Sequence, residues 1–213
     1  MVGSVPPAVC SAAAAILTVP LPRRPLDPDD PADRIRGWYE NELGWPTVPG
    51  EPVRLLVGER FDVLDVPAEA GLAALRRLAP GSPVAVRGDR MRLLVAAGGA
   101  EEVPGILQWL EWGALPLDLT AIGAGELIEA PLPPPVGSQG RNQGLNRPGP
   151  VQGAAVWLRP PVAGCEAEAS LPTMSALGGV GGAPDLVRLV DTLATHCHRV
   201  RLRRASAQPL AFS

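Results

Sequence analysis

The segment from Phe61 to Pro67 constrains this chain most, because it has the composition of a strand and carries two acidic side chains three residues apart. Side chains alternate between the two faces of a strand, so residues three apart point in opposite directions. In a regular strand, Asp62 and Asp65 therefore cannot chelate the same ion. The residue that shares a face with Asp65 is Pro67, which offers neither a ligand atom nor an N–H.

Helix and strand patterns alternate along the rest of the chain. Asp30 and Pro31 supply the N-cap and first-turn proline of a helix predicted over residues 32–43. Further helices are predicted at 101–112 and at 68–78, the latter with Leu72, Leu75 and Leu78 on its apolar side. An amphipathic helix begins near residue 184, and its spacing places on one face Leu186, Leu189, Val190, Leu193, Cys197 and Val200. Hairpins are predicted for strands 53–57 with 61–66, 83–87 with 91–96, and 115–120 with 126–130, followed by a strand at 154–158. This order predicts an α+β (mixed α/β) domain with a partly antiparallel sheet and covering helices.

Glycine (24 residues) and proline (26 residues) are abundant enough to predict unstructured segments. We expect a Pro/Ala-rich N-terminal segment at 1–25 and a main domain at 26–161 with a flexible insertion at 132–153. A flexible linker at 162–183 and a C-terminal amphipathic helix and tail at 184–213 follow. The apolar run from Ala12 to Val19 is too short to span a bilayer and has no basic residues before it, so we expect a cytoplasmic protein without a membrane partner.

Several fragments of the main domain occur in an order and spacing typical of one known family. They are Gly44 to Pro49, Leu56 to Gly58, Phe61 to Val66, Leu93 to Val95, Leu117 to Leu119, Glu129 to Pro134 and Val156 to Pro161. Together they resemble the bifunctional DNA primase/polymerase N-terminal domain, the prim-pol branch of the archaeo-eukaryotic primases. The resemblance covers residues 30–161 and implies an RNA-recognition-motif-like sheet.

The resemblance also implies where an active site would lie. Catalytic members are expected to carry two carboxylates on one strand, a nucleotide-contacting His on the next hairpin and a third carboxylate on a later strand. Asp65 matches the first carboxylate and Asp118 the third, whereas Pro67 replaces the second and Arg92 lies near the expected His. Asp65 and Asp118 are thus candidate remnants of a metal site, and Arg90 and Arg92 are candidates for binding phosphate. As ordinary residues, the two acids would be strand-end or turn positions.

Losing a carboxylate and the His removes most of the electrostatic stabilisation that phosphoryl transfer needs. We therefore expect a non-catalytic protein without a cofactor, whereas an active site would require Mg²⁺ or Mn²⁺. The leading hypothesis is a prim-pol-like protein that binds nucleic acid, nucleotide or a protein partner. One alternative is a weak or altered primase/polymerase in which Asp62, Glu69 or Glu126 supplies the missing ligand. Another is a purely structural or regulatory interaction protein.

The net charge of −3 gives no global attraction to nucleic acid, so any such contact needs a local patch, and all 19 basic residues are arginines. One candidate patch lies at the end of the C-terminal helix and comprises Arg199, Arg201, Arg203 and Arg204. These side chains also complement the helix dipole, which is their simpler interpretation. In the same helix, the segment from His196 to His198 contains two His and one Cys. Adjacent helical residues diverge by about 100 degrees, so a metal centre there would need partners from elsewhere.

Overall fold

The structure, a computed structural model, describes residues 27, 29–134, 153–162, 167–174 and 185–206. In these residues the chain forms a mixed α+β architecture with two antiparallel sheets and four α-helices. The predicted N-terminal segment 1–25, most of the predicted insertion at 132–153 and much of the predicted linker at 162–183 lie outside the described residues.

Strands and helices alternate along the described part of the chain. The strands are β1 (Thr47–Val48), β2 (Arg54–Leu56), β3 (Phe61–Pro67), β4 (Val84–Arg87), β5 (Arg90–Ala96), β6 (Thr120–Ile122), β7 (Leu127–Glu129) and β8 (Val156–Arg159). The α-helices are α1 (Pro31–Gly37), α2 (Ala68–Ala74), α3 (Gly99–Trp109) and α4 (Leu186–Ser206). A π-helical turn (Trp38–Leu43) continues α1, and 3-10 turns occupy Leu75–Arg77 and Ala167–Ser170.

The main sheet has five strands in the order β6-β3-β5-β4-β8, and all neighbouring strands are antiparallel. Its longest pairing joins β3 to β5 over seven residues, from Phe61 opposite Ala96 to Pro67 opposite Arg90. The predicted hairpin of β4 and β5 is confirmed, with Gly88 in the turn at φ +58°. A small sheet has the order β1-β2-β7.

The other two predicted hairpins are wrong, because β2 and β7 belong to the small sheet whereas β3 and β6 belong to the main sheet. The connection between β2 and β3 and the connection between β6 and β7 link the two sheets, and they pack against each other. Gly58 has a φ of +100°, and a Cβ built on it would lie 2.2 Å from Cα of Ala124 in the other connection. Val57 N–H also donates to the carbonyl of Glu126 at 2.9 Å. The glycine-rich turn therefore packs against the β2–β3 connection instead of closing a hairpin.

Three helices, α2, α3 and α4, cover one face of the main sheet. The predicted apolar face of α4 is confirmed, and all its members are buried: Leu186, Leu189, Val190, Leu193, Cys197 and Val200. Leu72, which the helical spacing predicts on the buried side of α2, is 43% exposed. Small residues face the sheet instead, since a Cβ on Gly71 would lie 2.4 Å from Sδ of Met91. None of the described helices combines the length and apolarity of a membrane span.

The small sheet and the α1 region pack on the opposite face and form a second core around Tyr39 and Trp45. The Tyr39 hydroxyl donates to the carbonyl of Pro131 at 2.6 Å and accepts from Nε1 of Trp157 at 3.0 Å. Burial raises the pKa of Tyr39 well above its usual value. Part of the predicted linker also contributes to this core, because Leu171 is buried there. Tyr39 thus connects the α1 region to β8 and to the segment after β7.

Tyr39→Phe is expected to lower the free energy of unfolding by about 2 kcal/mol, because it leaves buried polar partners unsatisfied. The carbonyl of Pro131 loses its donor, and the indole N–H of Trp157 loses its acceptor. Urea denaturation followed by circular dichroism measures the change. A loss below about 0.5 kcal/mol would show that water replaces the hydroxyl at no cost.

Candidate functional site

Asp62 and Asp65 point to opposite faces of the main sheet, as the strand alternation predicts. Asp62 lies on the helical face, where its Oδ2 accepts the backbone N–H of Ala100 at 2.9 Å in the first turn of α3. Burial raises the pKa of Asp62, and the hydrogen bond from Ala100 opposes that shift. Asp62 therefore caps α3, and its carboxylate cannot complete a metal site beside Asp65.

Asp65 lies on the other face and is buried between two arginines of β5. It is directly opposite Arg92 in the strand register, and Nε of Arg92 donates to Asp65 Oδ2 at 3.0 Å. Arg90 donates through Nε to Asp65 Oδ1 at 2.6 Å and through Nη2 to the Asp65 carbonyl at 3.1 Å. Both carboxylate oxygens are thus occupied by guanidinium groups. Arg92 is itself buried, and its Nη1 has no hydrogen-bond partner among the described residues.

Arg90 faces Pro67 in the register of β3 and β5 and extends beyond it to Asp65 of β3 and to Asp118, which lies just before β6. Because the side chain of Pro67 has no acceptor, the guanidinium contacts Asp65 and also donates through Nη1 to Asp118 Oδ1 at 2.5 Å. Partial burial lowers the pKa of Arg90, but the hydrogen bonds to Asp118 and Asp65 outweigh burial and raise it. The structure therefore joins Asp65, Asp118, Arg90 and Arg92 in one cluster.

Asp118, just before β6, also contacts α4. Its Oδ2 lies 3.7 Å from Nη1 of Arg204, so the carboxylate sits between a sheet arginine and a helix arginine. Its backbone carbonyl accepts the thiol of Cys197 at 3.5 Å. Burial and the negative charge of Asp118 raise the pKa of Cys197 to about 12. The Cys197 thiol therefore stays protonated near neutral pH and can donate this bond.

The predicted patch at the end of α4 adjoins this cluster. Arg203 forms an ion pair with Glu69 of α2, and Arg201 donates through Nη1 to the carbonyl of Pro116 at 3.1 Å. Arg199, one turn before Arg203, is exposed. We call the set of Arg90, Arg199, Arg201, Arg203 and Arg204 the arginine surface. No local pattern in the sequence predicts that these arginines approach the cluster, because the approach depends on the length of α4 and on how it packs.

The residues of the cluster do not fit a two-ion centre of Mg²⁺ or Mn²⁺. Both oxygens of Asp65 bind arginines, Asp118 lies between two arginines, and Pro67 offers no ligand. The other proposed ligands lie elsewhere, since Glu69 pairs with Arg203 and Glu126 follows the far end of β6. Across the part of the chain that the structure describes, no three His, Cys, Asp or Glu side chains form a group that could hold a metal ion.

Among the described residues, the two His of α4 do not form a metal centre with Cys197 either. The ring of His198 packs against Trp112 with centroids 5.9 Å apart, and Cys197 between the two His is part of the buried face. The three consecutive side chains therefore do not converge, as the helical geometry predicts.

Comparisons of the chain with models of known protein families, with curated proteins and with solved structures found no match. The likeness to the prim-pol domain stays a prediction from the sequence. The features that bear on function are therefore the arginine–carboxylate cluster and the adjoining surface.

Proposed function

We propose that this chain is a non-catalytic prim-pol-like protein, with a main sheet of the RNA-recognition-motif type, that binds nucleic acid or nucleotide through the arginine surface. One observation carries the proposal: Arg90 of β5 and Arg204 of α4 approach the two oxygens of the same Asp118 carboxylate. Two basic groups that are separate in the sequence thereby meet at one carboxylate.

The pairing of the carboxylates argues against polymerase chemistry. Two-metal phosphoryl transfer needs free carboxylates to hold the ions that stabilise attacking and leaving oxygens. Here Asp65 already binds two guanidinium groups in a buried setting. A divalent cation at this place would face the positive charges of Arg90 and Arg92 at close range.

The arginine surface favours phosphate binding because its basic groups are guanidinium groups and several of them are exposed. Guanidinium groups offer paired N–H donors that match the oxygens of a phosphate. Side chains of Arg203 and Arg204 remain 63% and 59% exposed even though each contacts a carboxylate. Such solvated ion pairs are weak, so a polyanion can exchange for them. A local patch of this kind provides the attraction that the net charge of −3 does not.

Arg201→Gln with Arg204→Gln is expected to weaken binding of single-stranded DNA roughly tenfold and to reduce the salt dependence of binding by about one phosphate contact. Fluorescence anisotropy of a labelled oligonucleotide at several salt concentrations measures both quantities. Arg54→Gln is the control, because Arg54 is exposed on the small sheet. Absence of binding to single-stranded DNA and to nucleoside triphosphates at low salt would overturn the nucleic-acid and nucleotide versions of the proposal, and only a protein partner would remain.

Primer extension with Mg²⁺ or Mn²⁺ distinguishes this proposal from the enzyme alternative. We expect no extension by the wild-type chain. Extension that is lost in Asp118→Ala would show that the carboxylate acts as a metal ligand, and would overturn the non-catalytic assignment.

A further inference from the structure

We infer that Trp109 is a base-stacking residue beside the arginine surface, so that the ligand is a nucleic acid with unpaired bases. This inference rests on the proposed function, because it adds a contact for bases to a surface proposed to contact phosphates. Trp109 lies in the last turn of α3 and is 75% exposed, the largest exposure among the large apolar side chains that the structure describes. Its ring therefore contributes little to the core and is open to a ligand.

Trp112 fixes the end of α3 against α4. Its backbone N–H donates to the carbonyl of Leu107 at 2.8 Å, which closes the end of the helix. Its indole Nε1 donates to Asp191 Oδ1 at 3.2 Å, and its ring packs against His198 with centroids 5.9 Å apart. Only two residues separate Trp109 from Trp112, so these contacts hold the exposed ring near α4 before a ligand binds.

The arginine surface continues from this contact along α4. His198 precedes Arg201 by three residues, which makes the two side chains neighbours on the helix surface. Arg201 donates in turn to the carbonyl of Pro116, four residues after Trp112. The segment from Trp112 to Pro116 therefore connects the end of α3, which carries Trp109, to the arginine surface.

Apolar and basic groups alternate on this part of the molecule. Leu115, next to Pro116 in the chain, is 39% exposed, and Leu202, next to Arg201, is 55% exposed. A single strand offers bases and phosphates in alternation, so guanidinium groups can contact the phosphates while an indole stacks on a base. In a duplex the base faces are already stacked on their neighbours. Trp109 can therefore contact only bases that are unpaired.

The test compares a labelled oligothymidylate with an abasic strand of the same length and phosphate charge, by fluorescence anisotropy at low salt. The wild type is expected to prefer oligothymidylate about tenfold. Trp109→Ala and Trp109→Leu should each weaken oligothymidylate binding by about that factor and leave the abasic strand unaffected, which also shows that these variants are folded. Trp109→Phe should retain most of the affinity, because it keeps an aromatic face. Arg201→Gln with Arg204→Gln should weaken both strands alike. The matched control is Leu127→Ala, which removes an exposed apolar side chain from the small sheet and should change neither affinity.

Each outcome decides the inference. Equal affinity of the wild type for the two strands, or unchanged oligothymidylate binding in Trp109→Ala, refutes the stacking role while the proposed function stands. If Trp109→Leu binds oligothymidylate as tightly as the wild type, position 109 provides only an apolar contact of the kind that an acidic protein segment could use, and the inference is equally refuted. A duplex should bind the wild type and Trp109→Ala alike, and a loss of duplex affinity in the variant would refute the requirement for unpaired bases. If neither strand binds any form, the proposed binding of nucleic acid fails and the inference fails with it.

Discussion

Asp65→Asn is expected to destabilise the fold by about 3–5 kcal/mol, because it leaves a buried arginine without its counter-charge. Arg92 is buried, and its Nη1 has no hydrogen-bond partner in the described part of the chain, so Asp65 is the anion that offsets its desolvation. Arg90 is more exposed and keeps its contact with Asp118. Guanidinium chloride denaturation near neutral pH measures the loss. Asparagine keeps the shape of the side chain, so the change removes the negative charge and one of the two acceptor oxygens that bind the arginines.

Two further variants distinguish the contribution of the Asp65–Arg92 pair to stability from that of the rest of the cluster. Asp118→Asn should cost less than about 1 kcal/mol, because that ion pair is solvated. Combining Asp65→Asn with Arg92→Leu should recover most of the stability, since removing both buried charges avoids the unpaired arginine. A change below about 1 kcal/mol in Asp65→Asn alone would contradict the structural role of this pair. These outcomes distinguish a counter-ion from a metal ligand, whose loss would affect activity with little effect on the fold.

The parts of the structure that the sequence predicts are those governed by local geometry. The two-residue period of a strand predicts that Asp62 and Asp65 face opposite ways, and the structure confirms it. The helical period likewise predicts the buried face of α4. The N-cap at Asp30 is also confirmed, because its side chain accepts from the backbone N–H of Ala32. In each case the determining contacts lie within a few residues along the chain.

The sequence does not show which strands share a sheet or which distant side chains meet. The turn residues between β2 and β3 fit a hairpin, yet these strands enter different sheets because of contacts with a segment more than sixty residues later in the chain. The approach of Arg204 to Asp118 depends on the packing of α4 against β3 and on its length. Similarly, the exposure of Leu72 follows from the close approach of Gly71 to Met91. Tertiary packing decides each of these features.

Gly58→Ala is expected to destabilise the fold by about 3 kcal/mol or more, since it combines backbone strain with a steric clash. Gly58 has a φ of +100°, which L-residues rarely adopt, and its new Cβ would lie 2.2 Å from Cα of Ala124. Backbone atoms cannot rotate away as a flexible side chain can. The two connections would have to separate and disturb the hydrogen bond from Val57 to Glu126. Chemical denaturation measures the loss.

Gly125→Ala is the matched control, because Gly125 lies in the facing turn with a similar φ of +83° and no atom of the described residues within 4 Å of its Cβ position. It should show only the strain of the left-handed backbone, about 1–2 kcal/mol. The additional loss of stability in Gly58→Ala therefore measures the close approach of Gly58 to Ala124. This contact directs β3 out of the small sheet and into the main sheet. Equal losses in the two variants would mean that this contact does not determine the path of the chain.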